Sequence, residues 1–146
     1  MSKLAGSVDE MCNFAAEVAG KLRLQKVSAA VLTLTGDLGS GKTTFVQGVA
    51  RYFGVEDRVT SPTFVIEKVY ELPRGPFKHL IHIDAYRLES AHELEVLGWH
   101  EMAAEPTNLI LVEWPERVPG IFSKGAMRLL FTFIDENTRK VELKKK

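Results

Sequence analysis

Residues 36 to 43 read Gly-Asp-Leu-Gly-Ser-Gly-Lys-Thr, the spacing G-x-x-x-x-G-K-[ST], whose chemistry is the holding of phosphate groups. Gly36, Gly39 and Gly41 let the backbone turn tightly and aim successive N–H groups inward, where a side chain would meet the chain or a phosphate oxygen. Lys42 brings a cation for the β and γ phosphates and is expected to act in catalysis. Thr43 brings a hydroxyl for Mg²⁺. The expected nucleotide contacts are therefore Asp37, Leu38, Gly39, Ser40, Gly41, Lys42, Thr43 and Thr44. Four fixed positions match by chance in about one chain of this length in two hundred, so the flanking pattern has to decide.

A magnesium nucleotide site also needs a carboxylate at the C-terminal end of a strand beside the phosphate loop. Two residues qualify: Asp84 after Leu-Ile-His-Ile, and Glu113 after Leu-Ile-Leu-Val. Glu113 ends the more fully apolar run, which places it nearest the phosphate-loop strand and makes it the expected metal ligand with Thr43. Asp84 is left to orient the attacking water or a metal-bound water. Thr63, in the loop after the phosphate-loop helix, is expected to sense the γ-phosphate, with Pro62 limiting the loop's freedom. Of the histidines, His82 and Asp84 share a strand face, His79 points the other way, and no third ligand has plausible spacing, so ordinary packing roles are expected. Trp114 follows the metal candidate directly. A buried aromatic is the usual reading there, yet Glu-Trp-Pro at a strand end also suits a surface facing a partner or nucleotide.

These groups need elements to hold them. Ala29 to Thr35 is an apolar, β-branched run of strand length. Thr43 to Phe53 spaces Phe45, Val49 and Phe53 at i, i+4, i+8, with Val46 and Ala50 beside them, which predicts a helix with one apolar face. Strand, glycine-rich loop, helix is the context that confirms the phosphate motif. Upstream, Ser7 to Glu10 has the form of a capping box opening a helix to about Leu22, with Met11, Phe14, Ala15, Val18 and Leu22 on one face. Downstream, Phe64–Leu72 and Phe77–Asp84 read as a hairpin around Pro73–Pro76. Ser90 to Glu93 is a second capping box, opening a helix to about Leu97 or somewhat beyond. Asn108–Glu113 reads as a strand buried on both faces, hence parallel and central. Arg128–Ile134 and Arg139–Leu143 read as a closing hairpin. The expectation is an α/β fold like that of P-loop NTPases, a central mixed β-sheet flanked by helices.

At 146 residues, 1–146 is expected to be a single domain. Nineteen basic residues balance nineteen acidic ones, which argues against nucleic-acid binding driven by bulk charge. One cysteine, Cys12, permits no internal disulfide or thiolate metal cage and is expected to be a small buried residue. No signal-peptide pattern opens the chain and no apolar run reaches membrane-spanning length, which predicts a soluble cytoplasmic protein with no membrane partner.

Five linked motifs, Gly36–Phe45 (GDLGSGKTTF), Ser61–Phe64 (SPTF), His82–Leu88 (HIDAYRL), Glu93–Gly98 (ELEVLG) and Val112–Val118 (VEWPERV), resemble the bacterial TsaE family, also called YjeE, in order and spacing. The resemblance implies a small P-loop ATPase of tRNA threonylcarbamoyladenosine synthesis. Its implied partners are TsaB and TsaD, the latter transferring a threonylcarbamoyl group onto an adenosine next to the tRNA anticodon. The chain would touch tRNA only indirectly, hydrolyse ATP and reset the complex between turnovers. In the family's pattern the magnesium-holding residues fall on Thr43 and Glu113, and the Asp of its HxDxYR motif on Asp84. No motif supplies a transition-state arginine. Arg87 is the nearest candidate by sequence, and Arg87 and Trp114 are also the expected partner contacts.

A GTP switch is disfavoured because no Asn-Lys-x-Asp segment occurs. A small-molecule kinase would bring an arginine-bearing helical lid where a hairpin is expected. A non-hydrolytic ATP-binding regulatory module would use the same cradle and stays open.

Overall fold

The computed structural model describes residues 2–56 and 66–144. In chain order the elements are β1 (Ser2–Ala5), α1 (Val8–Lys21), β2 (Ala30–Thr35), α2 (Lys42–Tyr52), β3 (Glu67–Glu71), β4 (His79–Asp84), α3 (Ala91–Val96), α4 (Trp99–Ala103), β5 (Asn108–Glu113), a 3₁₀ turn at Pro115–Arg117, β6 (Met127–Asp135) and β7 (Thr138–Lys144). Among these residues the strands form one seven-stranded sheet in the order β1-β7-β6-β2-β5-β4-β3. β4, β5, β2 and β6 run parallel, and β3, β7 and β1 pair antiparallel at the edges. The sheet is mixed and flanked by helices, as the alternation of elements implies.

Burial explains the sequence of the central strands. All six residues of β5 are buried, because helices cover both faces of the sheet where it lies between β2 and β4. Leu109 and Leu111 join Leu32, Leu34, Leu80, Leu129 and Phe131 in a core beneath α1 and α2. Ile110 and Val112 join Ile81, Ile83, Leu88, Leu94, Trp99 and Val118 in a second core beneath α3, α4 and the 3₁₀ turn. Phe45, Val46, Val49, Ala50 and Phe53 are buried along α2, so the apolar face read from the sequence is the face that packs.

Caps differ from expectation in detail. Ser7 Oγ accepts from Glu10 N at 3.1 Å, but Glu10 Oε1 reaches past Ser7 to Gly6 N at 2.6 Å. Ser90 precedes α3 without a side-chain cap bond, and Glu93 instead accepts from Glu89 N at 3.0 Å. The helix after Ser90 is broken by Gly98 (φ 96°), and the chain restarts as α4. Among the described residues β1 pairs with β7 alone, and no periodicity in Ser2–Ala5 announces it. β4 starts at His79 rather than Phe77, and Cys12 is half-buried between α1 and α2 rather than buried. The segment holding Ser61, Pro62, Thr63 and Phe64 lies outside the described residues.

Candidate phosphate and metal site

β2 delivers the chain to the phosphate loop and α2 carries it away. Ser40 N donates to Asp37 O at 3.2 Å, closing the turn. Gly41 sits at φ 102°, in the left-handed region that glycine occupies without strain, and starts α2. Gly36 is required for a different reason: a Cβ there would lie 2.6 Å from the Phe131 carbonyl oxygen and 2.7 Å from Ser40 Oγ. The loop is thus pressed against β6 at one end and turned by backbone conformation at the other.

The Lys42 side chain is buried, and Nζ donates to the Gly36 carbonyl. The same ammonium lies 3.8 Å from the centre of the Trp114 ring, a cation–π contact. Burial, the largest influence, holds the Lys42 ammonium below the ordinary lysine range; Glu113, Glu116, Asp84 and Asp37 oppose it. Trp114 reaches this position by leaving β5 at φ 59°, the one positive φ among the described non-glycine residues. Such a conformation costs on the order of 1–3 kcal/mol in a bulky residue and persists where surrounding contacts hold it. Here those contacts include the Tyr86 ring, edge-on at 5.0 Å, with the Arg117 guanidinium 4.8 Å from the centre of the Tyr86 ring. Trp114 is therefore half-buried against the loop lysine and Tyr86.

The two carboxylates stand side by side. β4 and β5 are in register with Asp84 opposite Glu113, and Leu34 of β2 is opposite Glu113 on its other side. Glu113 is therefore on the strand adjacent to the phosphate-loop strand, and Asp84 one strand further out. Glu113 is buried, and its Oε2 lies 3.5 Å from Thr43 Oγ1. His82 Nε2 contacts the same oxygen at 2.6 Å from a fully buried ring. Asp84 is half-buried, and its Oδ1 accepts from Tyr86 N at 3.0 Å. A hydroxyl and a carboxylate meeting at one point are hard oxygen donors. They suit Mg²⁺, which takes one or two protein ligands and draws the rest from phosphate and water. No group of three or more His, Cys, Asp or Glu side chains able to hold a metal occurs among the described residues. A dedicated all-protein cage is thus not what this arrangement offers.

These groups open into a cleft of about 830 Å³, within the size range of small-molecule sites. Leu38 to Thr44, Asp84, Arg87, Glu113 and Trp114 line it together. Asp37 is not in the lining and contributes its carbonyl to the turn. At the other end the lining continues over Ala5–Val8 and Met11, at the start of α1, and over Glu136, Asn137 and Arg139, at the β6–β7 turn. Arg139 Nε donates to the Gly39 carbonyl at 2.7 Å, and its guanidinium packs 4.5 Å from the Phe133 ring. Sequence reasoning found neither His82 nor Arg139. For His82 the sequence offers one signal, a histidine in an apolar run two residues before the carboxylate that ends the strand. Arg139 lies a hundred positions from Gly39 and carries no local signal at all.

The family model for the threonylcarbamoyl adenosine biosynthesis protein TsaE matches residues 5–141. The chain belongs to the TsaE family. Relatives named tRNA threonylcarbamoyladenosine biosynthesis protein TsaE include that of Borreliella burgdorferi, 35% identical over 94% of both chains. That of Haemophilus influenzae is 33% identical over 88% of this chain and 77% of its own. Among solved structures, Bacillus subtilis YdiB superposes with a TM-score of 0.70 at 27% identity, covering 97% of this chain and 82% of that one. The TsaE match spans the phosphate loop, both carboxylates and both ends of the cleft, including Arg139 near its limit. No helix among the described residues is long and apolar enough to cross a membrane.

Proposed function

We propose that this TsaE-family chain is a magnesium-dependent ATPase, slow alone, that acts with TsaB and TsaD in threonylcarbamoyladenosine modification of tRNA. The observation that carries the reading is the meeting of Lys42, Thr43 and Glu113 at one point of the cleft beneath a phosphate loop. Asp37 to Thr44 would hold the triphosphate, chiefly through backbone N–H groups. Thr43 and Glu113 would hold Mg²⁺, which when bound neutralises charge between the outer phosphates. Asp84, one strand outward, would orient the attacking water. Thr63 keeps the role of γ-phosphate sensor on sequence grounds.

The direction of the nucleotide follows from chemistry. Lys42, Glu113 and Asp84 mark the triphosphate end, so the nucleoside belongs at the opposite end, between Ala5–Val8 and Asn137–Arg139. Tyr86, Arg87 and Trp114 then flank the γ-phosphate and face outward, with Tyr86 and Arg87 exposed. This is where docking of TsaB and TsaD would alter hydrolysis. Residues 1–146 act in this reading as one cytoplasmic ATPase domain that reaches tRNA only through its partners, resetting the complex between turnovers.

Phosphate release, measured for the chain alone, with each partner and with both, tests this reading. Slow release that both partners together accelerate is expected, because a missing transition-state cation costs a factor of about 10³–10⁵. Fast release unchanged by the pair would refute partner dependence. ATP binding without release under any condition would make the chain a regulatory module.

A further inference from the structure

We propose that His82 is a positioning residue for the metal site: its imidazole holds the Glu113 carboxylate in the orientation that Mg²⁺ needs. The inference rests on the reading of Glu113 as a metal ligand and extends it to a residue that never touches nucleotide or metal.

The geometry begins with the sheet. His82 lies opposite Leu111 in the β4–β5 pairing, so it is the diagonal neighbour of Glu113, two residues further along the adjacent strand. Long side chains bridge such diagonals. His82 Nε2 is 2.6 Å from Glu113 Oε2, and both side chains are withdrawn from solvent, at 0% and 4% exposure. An ionised carboxylate has no hydrogen to give, so Nε2 carries the hydrogen and donates it. The other ring nitrogen, Nδ1, is buried without a partner among the described residues.

A histidine serving only to pack would not be placed this way. Its strand neighbours Leu80, Ile81 and Ile83 are buried apolar residues, and another aliphatic side chain would fill the position without leaving a ring nitrogen unpaired. What the imidazole adds is one directed hydrogen bond to one oxygen. Of the carboxylates that act on the Lys42 charge, Glu113 acts most strongly. Left unheld, the Glu113 side chain is drawn toward that ammonium, occupying the cation meant for phosphate and leaving Thr43 without its companion ligand. Among the described residues the hydrogen bonds to the Glu113 carboxylate reach Oε2, one from His82 and a long one from Thr43. His82 thus pins the carboxylate at the side where the Thr43 hydroxyl stands. Outer groups that orient a metal ligand typically change metal affinity by about 10–100-fold when removed.

The test uses the purified chain, a fluorescent ATP analogue and Mg²⁺ titrated at fixed nucleotide, with a second titration in EDTA. His82→Leu keeps the volume and removes the donor; His82→Gln returns an amide N–H near the position of Nε2. The expected result is a Mg²⁺ midpoint raised about tenfold or more in His82→Leu, restored to within about threefold in His82→Gln, with metal-free affinity within about twofold of the parent. A His82→Leu midpoint equal to the parent's, or equal shifts in Leu and Gln, would overturn the inference. Should His82→Leu fail to fold by circular dichroism, His82→Asn replaces it. The Asn amide is one carbon shorter, so Asn shifts the midpoint and Gln does not; matching midpoints overturn the inference. Glu113→Gln runs beside them. If that control leaves the midpoint in place, the metal assignment itself fails and takes the inference with it. If only the control moves, His82 alone is excluded.

Discussion

At the end of the cleft marked by Glu113 and Asp84, the side chains hang from buried parallel strands. Glu113 and Asp84 close β5 and β4, and His82 stands behind Glu113 at 0% exposure. At the other end, the lining comes from edges and turns: Ala5 to Val8 between β1 and α1, and Glu136 to Arg139 around the β6–β7 turn. The first end is set by two cores that leave each strand one register. The second is set by a four-residue edge strand and by one arginine reaching Gly39. The contrast teaches where precision is needed. Charge and metal geometry require groups held by packing, whereas a flat apolar base needs only a surface of suitable shape.

The sharpest break in that comparison is Lys42→Met. It should cost roughly 2–5 kcal/mol of ATP affinity, because a desolvated cation is lost where phosphate charges converge. The same change should leave the ligand-free chain as stable or more so. The folded chain binds the Lys42 proton less tightly than the unfolded chain, since burial lowers its pKa from 10.5. Stability therefore rises with pH between that lowered value and 10.5, and Met removes this slope. Fluorescent-nucleotide titration and thermal unfolding at several pH values check both halves. Lost stability together with lost binding would mean that Lys42 is structural.

Next in size is the difference between the two carboxylates. Glu113→Gln should raise the Mg²⁺ midpoint of ATP binding by about two orders of magnitude, and Asp84→Asn by much less, because Glu113 lies 3.5 Å from the Thr43 hydroxyl and Asp84 stands one strand further out. The larger shift appearing in Asp84→Asn would exchange their roles. Trp114→Ala should leave ATP affinity within about threefold while weakening stimulation by TsaB and TsaD about tenfold, a loss of roughly 1.4 kcal/mol. Unchanged stimulation would remove Trp114 from the partner contact.

The smallest effect belongs to the opposite end. Arg139→Ala removes one hydrogen bond to the loop and should weaken ATP binding about three- to tenfold, leaving the Mg²⁺ midpoint unmoved. If the midpoint follows, the two ends are coupled through the phosphate loop and the contrast between them dissolves.

What could be read in the chain and what could not divides along the same line. The glycine-lysine-threonine spacing at 36–43 pointed to a phosphate ligand and to the turn that would cradle it, because backbone turning and phosphate charge are local demands that residue types must meet. The apolar run of β5 placed it centrally, and with it Glu113, because a strand covered on both faces can carry little polarity. The order of motifs also carried the family. Ser90 shows the limit of local reading: its capping pattern is present, yet Glu93 turns to Glu89 N instead. Ser2–Ala5 is too short to show a period, and it becomes a strand only because β7 offers it an edge. His82 looks like any core histidine until β4 and β5 pair in one particular register. Arg139 meets Gly39 only once β7 folds back along β6. A residue's type is enough when its partner is the backbone, solvent or ligand beside it. When the partner lies across the sheet, strand register decides the meeting, and that is a property of the assembled core.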